Sequence, residues 1–399
     1  MSDSEQKFIV PGFQASGIAA GIKEDGKKDL ALLHSEVPAR AAGVFTTNVF
    51  KAAPVLLDME RIKNGSARAI IVNSGNANAA TGEEGYQDAV KMARFCAGAL
   101  QIDESQVLVA STGVIGRKLP IDKVAGSVSR LVKGLSADGI PEAAQAIMTT
   151  DQYPKMQFRE GPVGGTDICI CGIAKGAGMI EPNMATLLSF ILTDADLDDQ
   201  AMKRALREAT DRSLNAISVD GCMSTNDTVI ILANGLAGNR KIRTSTRDFA
   251  VFTAMLTDVM MELAKLIVRD GEGATKLIEI VVEGAKTTGE ARSVAYQIAR
   301  SNLVKTAFYG ADPNWGRVIS AVGAAGVAID GATVELYFDG LPLFRRGQGV
   351  SDHLKELAEV MKKDQVKVLV KLGQGTKDFR VYGSDLTLDY VRLNAHYTT

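Results

Sequence analysis

Between Lys175 and Asp196 the chain reads KGAGMIEPNMATLLSFILTDAD, a Gly-rich, Pro-kinked run that delivers a hydroxyl residue, Thr186, to the start of an apolar strand-like segment. Gly176 and Gly178 admit backbone conformations closed to other residues, and Pro182 fixes one torsion and biases Glu181 towards extended geometry. Such a loop can hold a distorted peptide bond. The Thr186 hydroxyl could then attack the carbonyl of Ala185 and shift the acyl bond from nitrogen to oxygen, after which water would release two pieces. The new α-amine, with an ordinary pKa of about 7.7, would stand beside the hydroxyl of its own residue, so nucleophile and base would arrive together. The same pattern also fits a plain strand connection in which Thr186 serves only through its strand propensity.

What else the chain carries narrows the chemistry. Its three histidines, His34, His353 and His396, accompany no G-x-S-x-G elbow and no HExxH, which leaves a Ser-His-Asp triad and metal hydrolysis unsupported. An acyl-transfer site here must draw its base from an amine or a carboxylate. The four cysteines show no CxxC spacing; Cys169 and Cys171 lie two apart in the strand-like DICICGIA, share a face and read as small apolar packing groups. With 45 basic against 47 acidic residues, scattered rather than clustered beside aromatics, the footprint of a nucleic-acid binder is missing. The expected partner is a small molecule. MSDSEQKFIVPGF has no basic region followed by an apolar one, and no segment reaches membrane-spanning length, so a cytoplasmic location is expected.

A chain of 399 residues exceeds what one core usually serves, so two domains or two large lobes are expected. Periodicity predicts strands over 67–75 and 106–112, with a helix over 85–100 between them and another over 122–135. DICICGIA and TLLSFILTD read as two strands joined by the Gly-rich run. A helix follows with Asp198 or Asp199 near its start, then a strand in DTVIILANG and a long helix over 246–270. One further helix is predicted from about Thr288 to Tyr309, with Glu290 in its first turn. KLIEIVVEG, TVELYFDG, VKVLVKL and FRVYG make the remainder strand-rich. With no linker in sight, a break at Thr186 would divide the chain while both halves stay packed together.

Three further positions can serve chemistry. Lys175 could bind a substrate carboxylate or lower a neighbouring pKa, although a strand-end lysine is often merely solvated. Backbone amides around Thr112 and Gly113, where a strand meets a tight turn, could form an oxyanion hole. Glu272, between two glycines in RDGEGATK, could meet a ligand closely or be an ordinary turn carboxylate.

Taken together, GFQASGIAAGIK, VFTTNVFKAAPV (44–55), IVNSGNANAATG (71–82), ASTGVIG (110–116), MTTDQYPK (148–155), the KGAGMIEPNMATLLSFILTDA run, SVDGCMSTNDT (218–228), RDGEGATK and LVKTAFYGADPNWGRV (303–318) resemble, in order and nearly end to end, the ornithine acetyltransferase (ArgJ) family. The resemblance implies a layered α/β fold of the DmpA/ArgJ type, analogous to the N-terminal nucleophile hydrolases, self-cleaved between Ala185 and Thr186. Residues 1–185 would form an α chain and 186–399 a β chain, assembled as two of each. It implies that Thr112 and Gly113 stabilise the oxyanion. Lys175, Thr186 and Glu272 would serve the substrate with a threonine of MTTD, Thr150 in preference to Thr149, and Asn394 and Thr399 would complete the pocket. The implied reaction is ping-pong: Thr186 takes the acetyl group of N-acetylornithine, ornithine leaves, and glutamate accepts the acetyl group, with no cofactor. Some members also use acetyl-CoA as donor. The tail RLNAHYTT departs from the family's NADY-like ending by placing His396 where an acidic residue is expected; within range of the pocket it would make acceptor binding pH-dependent. A hydrolase of the same fold, or an uncleaved small-molecule binder using KGAGM as a ligand loop, are the rival readings.

Overall fold

The structure is a computed structural model that describes residues 8–181, 187–350 and 352–396. The first sheet buries its inner strands on both faces, as β-branched and small apolar runs require, and leaves its edge strand Lys155–Val163 partly exposed. Its members are β1 (Phe13–Ile18), β2 (Leu30–Phe45), β3 (Ser66–Asn76), β4 (Val107–Val114), β5 (Lys155–Val163), β6 (Thr166–Lys175) and β7 (Leu188–Thr193), with β9 (Thr228–Ala233); the short β8 (Ile217–Ser218) belongs to the second sheet. The order is β4-β3-β2-β9-β7-β6-β5, with β1 alongside β2. Strands that precede Thr186 in sequence thus flank strands that follow it. β9 runs antiparallel to β2 from Arg40↔Ala233 to Phe45↔Thr228, and β7 antiparallel to β6 from Ile170↔Thr193 to Lys175↔Leu188.

The second sheet comprises β8, β10 (Leu277–Ala285), β11 (Glu335–Phe338), β12 (Leu341–Arg345), β13 (Gln348–Gly349), β14 (Gln365–Lys371) and β15 (Lys377–Ser384), all drawn from the later half of the chain. Between the sheets lie α5 (Asp199–Arg212) and α6 (Arg247–Arg269). In α6, Phe252, Leu256, Val259, Leu263 and Ile267 recur at three- and four-residue spacing and bury against Ile191 and Ile231 of one sheet and Leu277 and Tyr382 of the other. Each such side chain contributes about 1.5–3 kcal/mol of burial. On the first sheet, α1 (Ala53–Arg61), α2 (Gly82–Leu100) and α3 (Ile121–Lys133) cover β3 and β4, while α4 (Ile140–Ala146) joins the core of the opposite face. Helices α7 (Thr288–Arg300), α8 (Asn302–Tyr309), α9 (Trp315–Gly323) and α10 (Leu354–Met361) close the outer face of the second sheet. The terminal α11 (Leu388–His396) buries no residue.

The single helix predicted over 288–309 is two. Ser301 adopts extended geometry (φ −67°, ψ 109°), and its side chain accepts the Val304 N–H to cap α8. A serine competes for backbone hydrogen bonds and so starts a new helix where periodicity alone continues the old one. The expected first-turn role of Glu290 holds as a capping box with Thr287, and Asp198 rather than Asp199 caps α5 by accepting the Ala201 N–H. Cys171 is buried in the first sheet's core and Cys169 packs against it, both as free thiols. Among the described residues no helix is long and apolar enough to cross a membrane.

Candidate active site

The site lies where the C-terminal ends of β4 and β6 converge. Lys175 closes β6, and its ammonium Nζ donates to Thr149 Oγ1 at 2.7 Å and to Thr112 Oγ1, on β4, at 3.3 Å. It is 3% exposed, so the solvated strand-end reading of this lysine is overturned. Burial pushes its pKa below the ordinary lysine value, while Asp151 opposes that shift. Asp151 Oδ2 stands 3.8 Å from Nζ. Gly113 follows Thr112 with φ +135°, and a Cβ there would fall 2.3 Å from the carbonyl carbon of Gly75 on β3. Only glycine admits both that torsion and that approach of two backbones.

Beyond Lys175 the Gly-rich run is held residue by residue. Gly176 N–H donates to Asp151 Oδ1 (2.7 Å), Glu272 N–H to Ala177 O (2.9 Å), Met179 N–H to Asp220 Oδ2 (2.6 Å) and Val219 N–H to Ile180 O (2.9 Å). Met179 itself has φ +55°, uncommon for a side chain of its size. Glu181 is buried, accepts the Ser218 hydroxyl at 2.7 Å and pairs with Arg300. Past the run, Leu187 N–H donates to Asp227 Oδ1 at 2.8 Å, and Leu187 O accepts the Thr228 N–H. Ala185 and Thr186, like Thr399, lie outside the described residues. The described residues on either side of that stretch are held, Glu181 by Ser218 and Arg300 and Leu187 by the buried Asp227 carboxylate and the Thr228 N–H.

Glu272 and Asn394 are brought together, as the resemblance implies. Asn394, on exposed α11, donates Nδ2–H to Glu272 Oε2 at 2.8 Å, and the Glu272 carboxylate packs on Gly178, whose missing Cβ would lie 2.6 Å from it. Thr149, not Thr150, carries the hydroxyl that meets Lys175. Its N–H bonds Asp151 Oδ2 (2.9 Å) and closes the turn, with Thr150 half-buried beside it. His396 is exposed two residues beyond Asn394.

Sequence reasoning missed the carboxylates that organise the loop: Asp151, Asp220, Asp227 and Asp270, with Lys155. Asp227 is fully buried; burial drives its pKa well above the carboxylate range, and only the Leu187 N–H and the more distant Lys175 oppose that. Burial likewise lifts Asp220 to about 6, against two backbone N–H bonds. The available signal was positional: Asp151 and Asp270 sit inside MTTDQYPK and RDGEGATK, and Asp220 and Asp227 inside SVDGCMSTNDT. Among the described residues no cluster of His, Cys, Asp and Glu could hold a metal ion.

An ammonium on two hydroxyls and a carboxylate–amide pair thus stand beside the Gly-rich run, with no histidine among the groups named. The ArgJ family model matches residues 14–399. The chain belongs to the ArgJ family. An "Arginine biosynthesis bifunctional protein ArgJ" of Geobacter sulfurreducens is 48% identical over 391 residues, 98% of this chain and 100% of that protein. Its counterpart in Symbiobacterium thermophilum is 49% identical over 97% of each chain. Among solved structures, a chain of the Bacillus halodurans arginine biosynthesis bifunctional protein ArgJ is 42% identical with a TM-score of 0.51, covering 52% of this chain and 98% of its own length. The layered α/β fold expected from the motifs is thus the fold of this ArgJ family member.

Proposed function

We propose that this ArgJ family member cleaves itself between Ala185 and Thr186 and then transfers acetyl groups in arginine biosynthesis, from N-acetylornithine to glutamate. The observation that carries the reading is the convergence of Lys175, Thr112, Thr149, Glu272 and Asn394 beside a run flanked by Glu181, held by Ser218 and Arg300, and by Leu187, held by the buried Asp227. The Thr186 Oγ attacks the acetyl carbonyl, its own α-amine accepts the hydroxyl proton, and the oxyanion is stabilised by Thr112 and Gly113. Collapse of the adduct expels ornithine with the returned proton. The ester carbonyl then meets the glutamate amine, giving N-acetylglutamate and free Thr186. Glu272, Asn394, Thr399 and a threonine of the 149–150 pair contact the substrate, and Lys175 complements its carboxylate or acts through the hydroxyls it holds.

Cleavage gives an α chain of residues 1–185 and a β chain of 186–399, two of each per particle. The match of nearly the whole length of a solved relative to 52% of this chain supports chains of that size. Acetyl-CoA is a second candidate donor. The chemistry asks for neither metal nor cofactor, and the cytoplasm, where arginine is made, is the proposed location. Ornithine release is the test: a transferase releases it in proportion to added glutamate, whereas a hydrolase of the same fold releases it without glutamate, and a binding protein releases none.

A further inference from the structure

Lys155 has no exposure at all, and it lies between two buried aspartates. Its Nζ donates to Asp151 Oδ1 at 2.7 Å and to Asp270 Oδ2 at 2.5 Å. Asp151 in turn faces Lys175 at 3.8 Å and accepts the Gly176 and Thr149 N–H groups, while Asp270 accepts the Gln152 N–H and stands two residues before Glu272. Four charges thus run Lys175, Asp151, Lys155, Asp270 through the interior and join the three segments that build the site, 149–152, 175–177 and 270–272. Removing charges from water is expensive, and apolar replacements of such groups are often as stable or more so. Stability alone is a poor reason to keep this chain of charges.

We propose that Lys155 and Asp270 are positioning residues that act through Asp151 on Lys175, fixing how strongly its ammonium is held and hence the charge it presents to Thr112 and Thr149. The inference rests on the acetyl-transfer reading above. An ammonium donating to Thr112 Oγ1 polarises that hydroxyl and makes its own proton a stronger donor to a developing oxyanion. The groups that face Lys175 are Asp151 from the 149–152 turn, Lys155 from β5, Glu272 from the segment after α6, Asp227 ahead of β9 and Lys23 from the loop after β1. Burial disfavours the Lys175 proton, Asp151 favours it, Lys155 disfavours it, and Glu272 and Asp227 favour it. Burial, the first cause, together with the Asp151 field, gives the chain its leverage. Burial pushes Asp151 up, but Lys175 and Lys155 together hold it well below the usual carboxylate range, so its charge persists across the working range of pH.

The test follows acetylation of the later chain by N-acetylornithine, read by mass between roughly pH 6 and pH 10. Lys155→Met with Asp270→Asn removes one positive and one negative charge together, sparing the interior an unpaired ion. Because the repulsion from Lys155 is lost while Asp151 remains, the pH at which the rate declines on the alkaline side should rise by about one pH unit. Asp151→Asn should move the same limb down. Movement in these opposite directions supports the inference. Lower rates with an unmoved alkaline limb in either folded variant, or failure of both to fold, would assign the four charges to stability alone and overturn it. If the unaltered protein is not acetylated at any pH, it is the acetyl-transfer reading that falls.

Discussion

Gly178 has no room for a side chain: a methyl group there would press on the Glu272 carboxylate at 2.6 Å, and that carboxylate is the one Asn394 holds. The end of a flexible side chain can move aside where backbone cannot. Gly178→Ala is therefore expected to fold with normal melting while lowering kcat/KM about a hundredfold through displacement of Glu272, measured in the glutamate-dependent assay. Glu272→Gln keeps the Asn394 contact and the chain's volume but removes the charge. It should reduce turnover while the chain still divides in two, and denaturing mass will show whether an undivided chain instead places Glu272 in maturation. Thr112, Gly113, Lys175, Glu272 and Asn394 were all legible as candidates, because motif positions name the residue types a site needs. Which neighbour each one touches was not. Thr149 and Thr150 are adjacent in sequence, and only the turn closed on Asp151 sets the Thr149 hydroxyl on Lys175.

At the scale of elements, helix α1 braces the strand that carries Thr112. Asp58 of α1 is fully buried; its Oδ1 accepts the Val109 N–H of β4 at 2.9 Å, and its Oδ2 has no partner. Burial raises its pKa well above the carboxylate range, with the Val109 N–H and Arg61 opposing. The folded form thus binds the proton more tightly than the unfolded chain, and Asp58 contributes least when ionised. The penalty is absent below the unfolded value of about 4 and grows as pH rises from there towards the folded value. Asp58→Asn keeps an acceptor for Val109 and cannot ionise. Its stability should match the parent in acid and exceed it increasingly as pH rises, as denaturant midpoints taken across that range will show. Helices α2, α3 and α6 were readable from periodicity because each buries a regular face, and strands β3 and β4 as buried apolar runs that end in turn residues. The break between α7 and α8 was not, since apolar spacing continues through Ser301 and only its capping bond reveals the interruption.

For the whole molecule, the order of the first sheet matters most. Strands β7 and β9, after Thr186, lie between β6 and β2, before it, so a cut at Ala185–Thr186 leaves both ladders intact. The two pieces cannot part without unzipping backbone pairing on two edges and exposing the cores of both faces. Native chromatography should therefore deliver both fragments in one peak that separates only in denaturant, and fragments that part under native conditions would be at odds with this sheet. The lack of a linker led only to the expectation that the halves stay packed; the interleaving was not legible, because strand order depends on which distant edges meet. The central claim is a self-made Thr186 nucleophile, and intact mass under denaturing conditions, before and after brief exposure to N-acetylornithine, tests it most directly. Two fragments dividing at Thr186, with an acetyl group appearing only on the later one, is the predicted result; a single unmodified chain from protein that nevertheless transfers acetyl groups would contradict it.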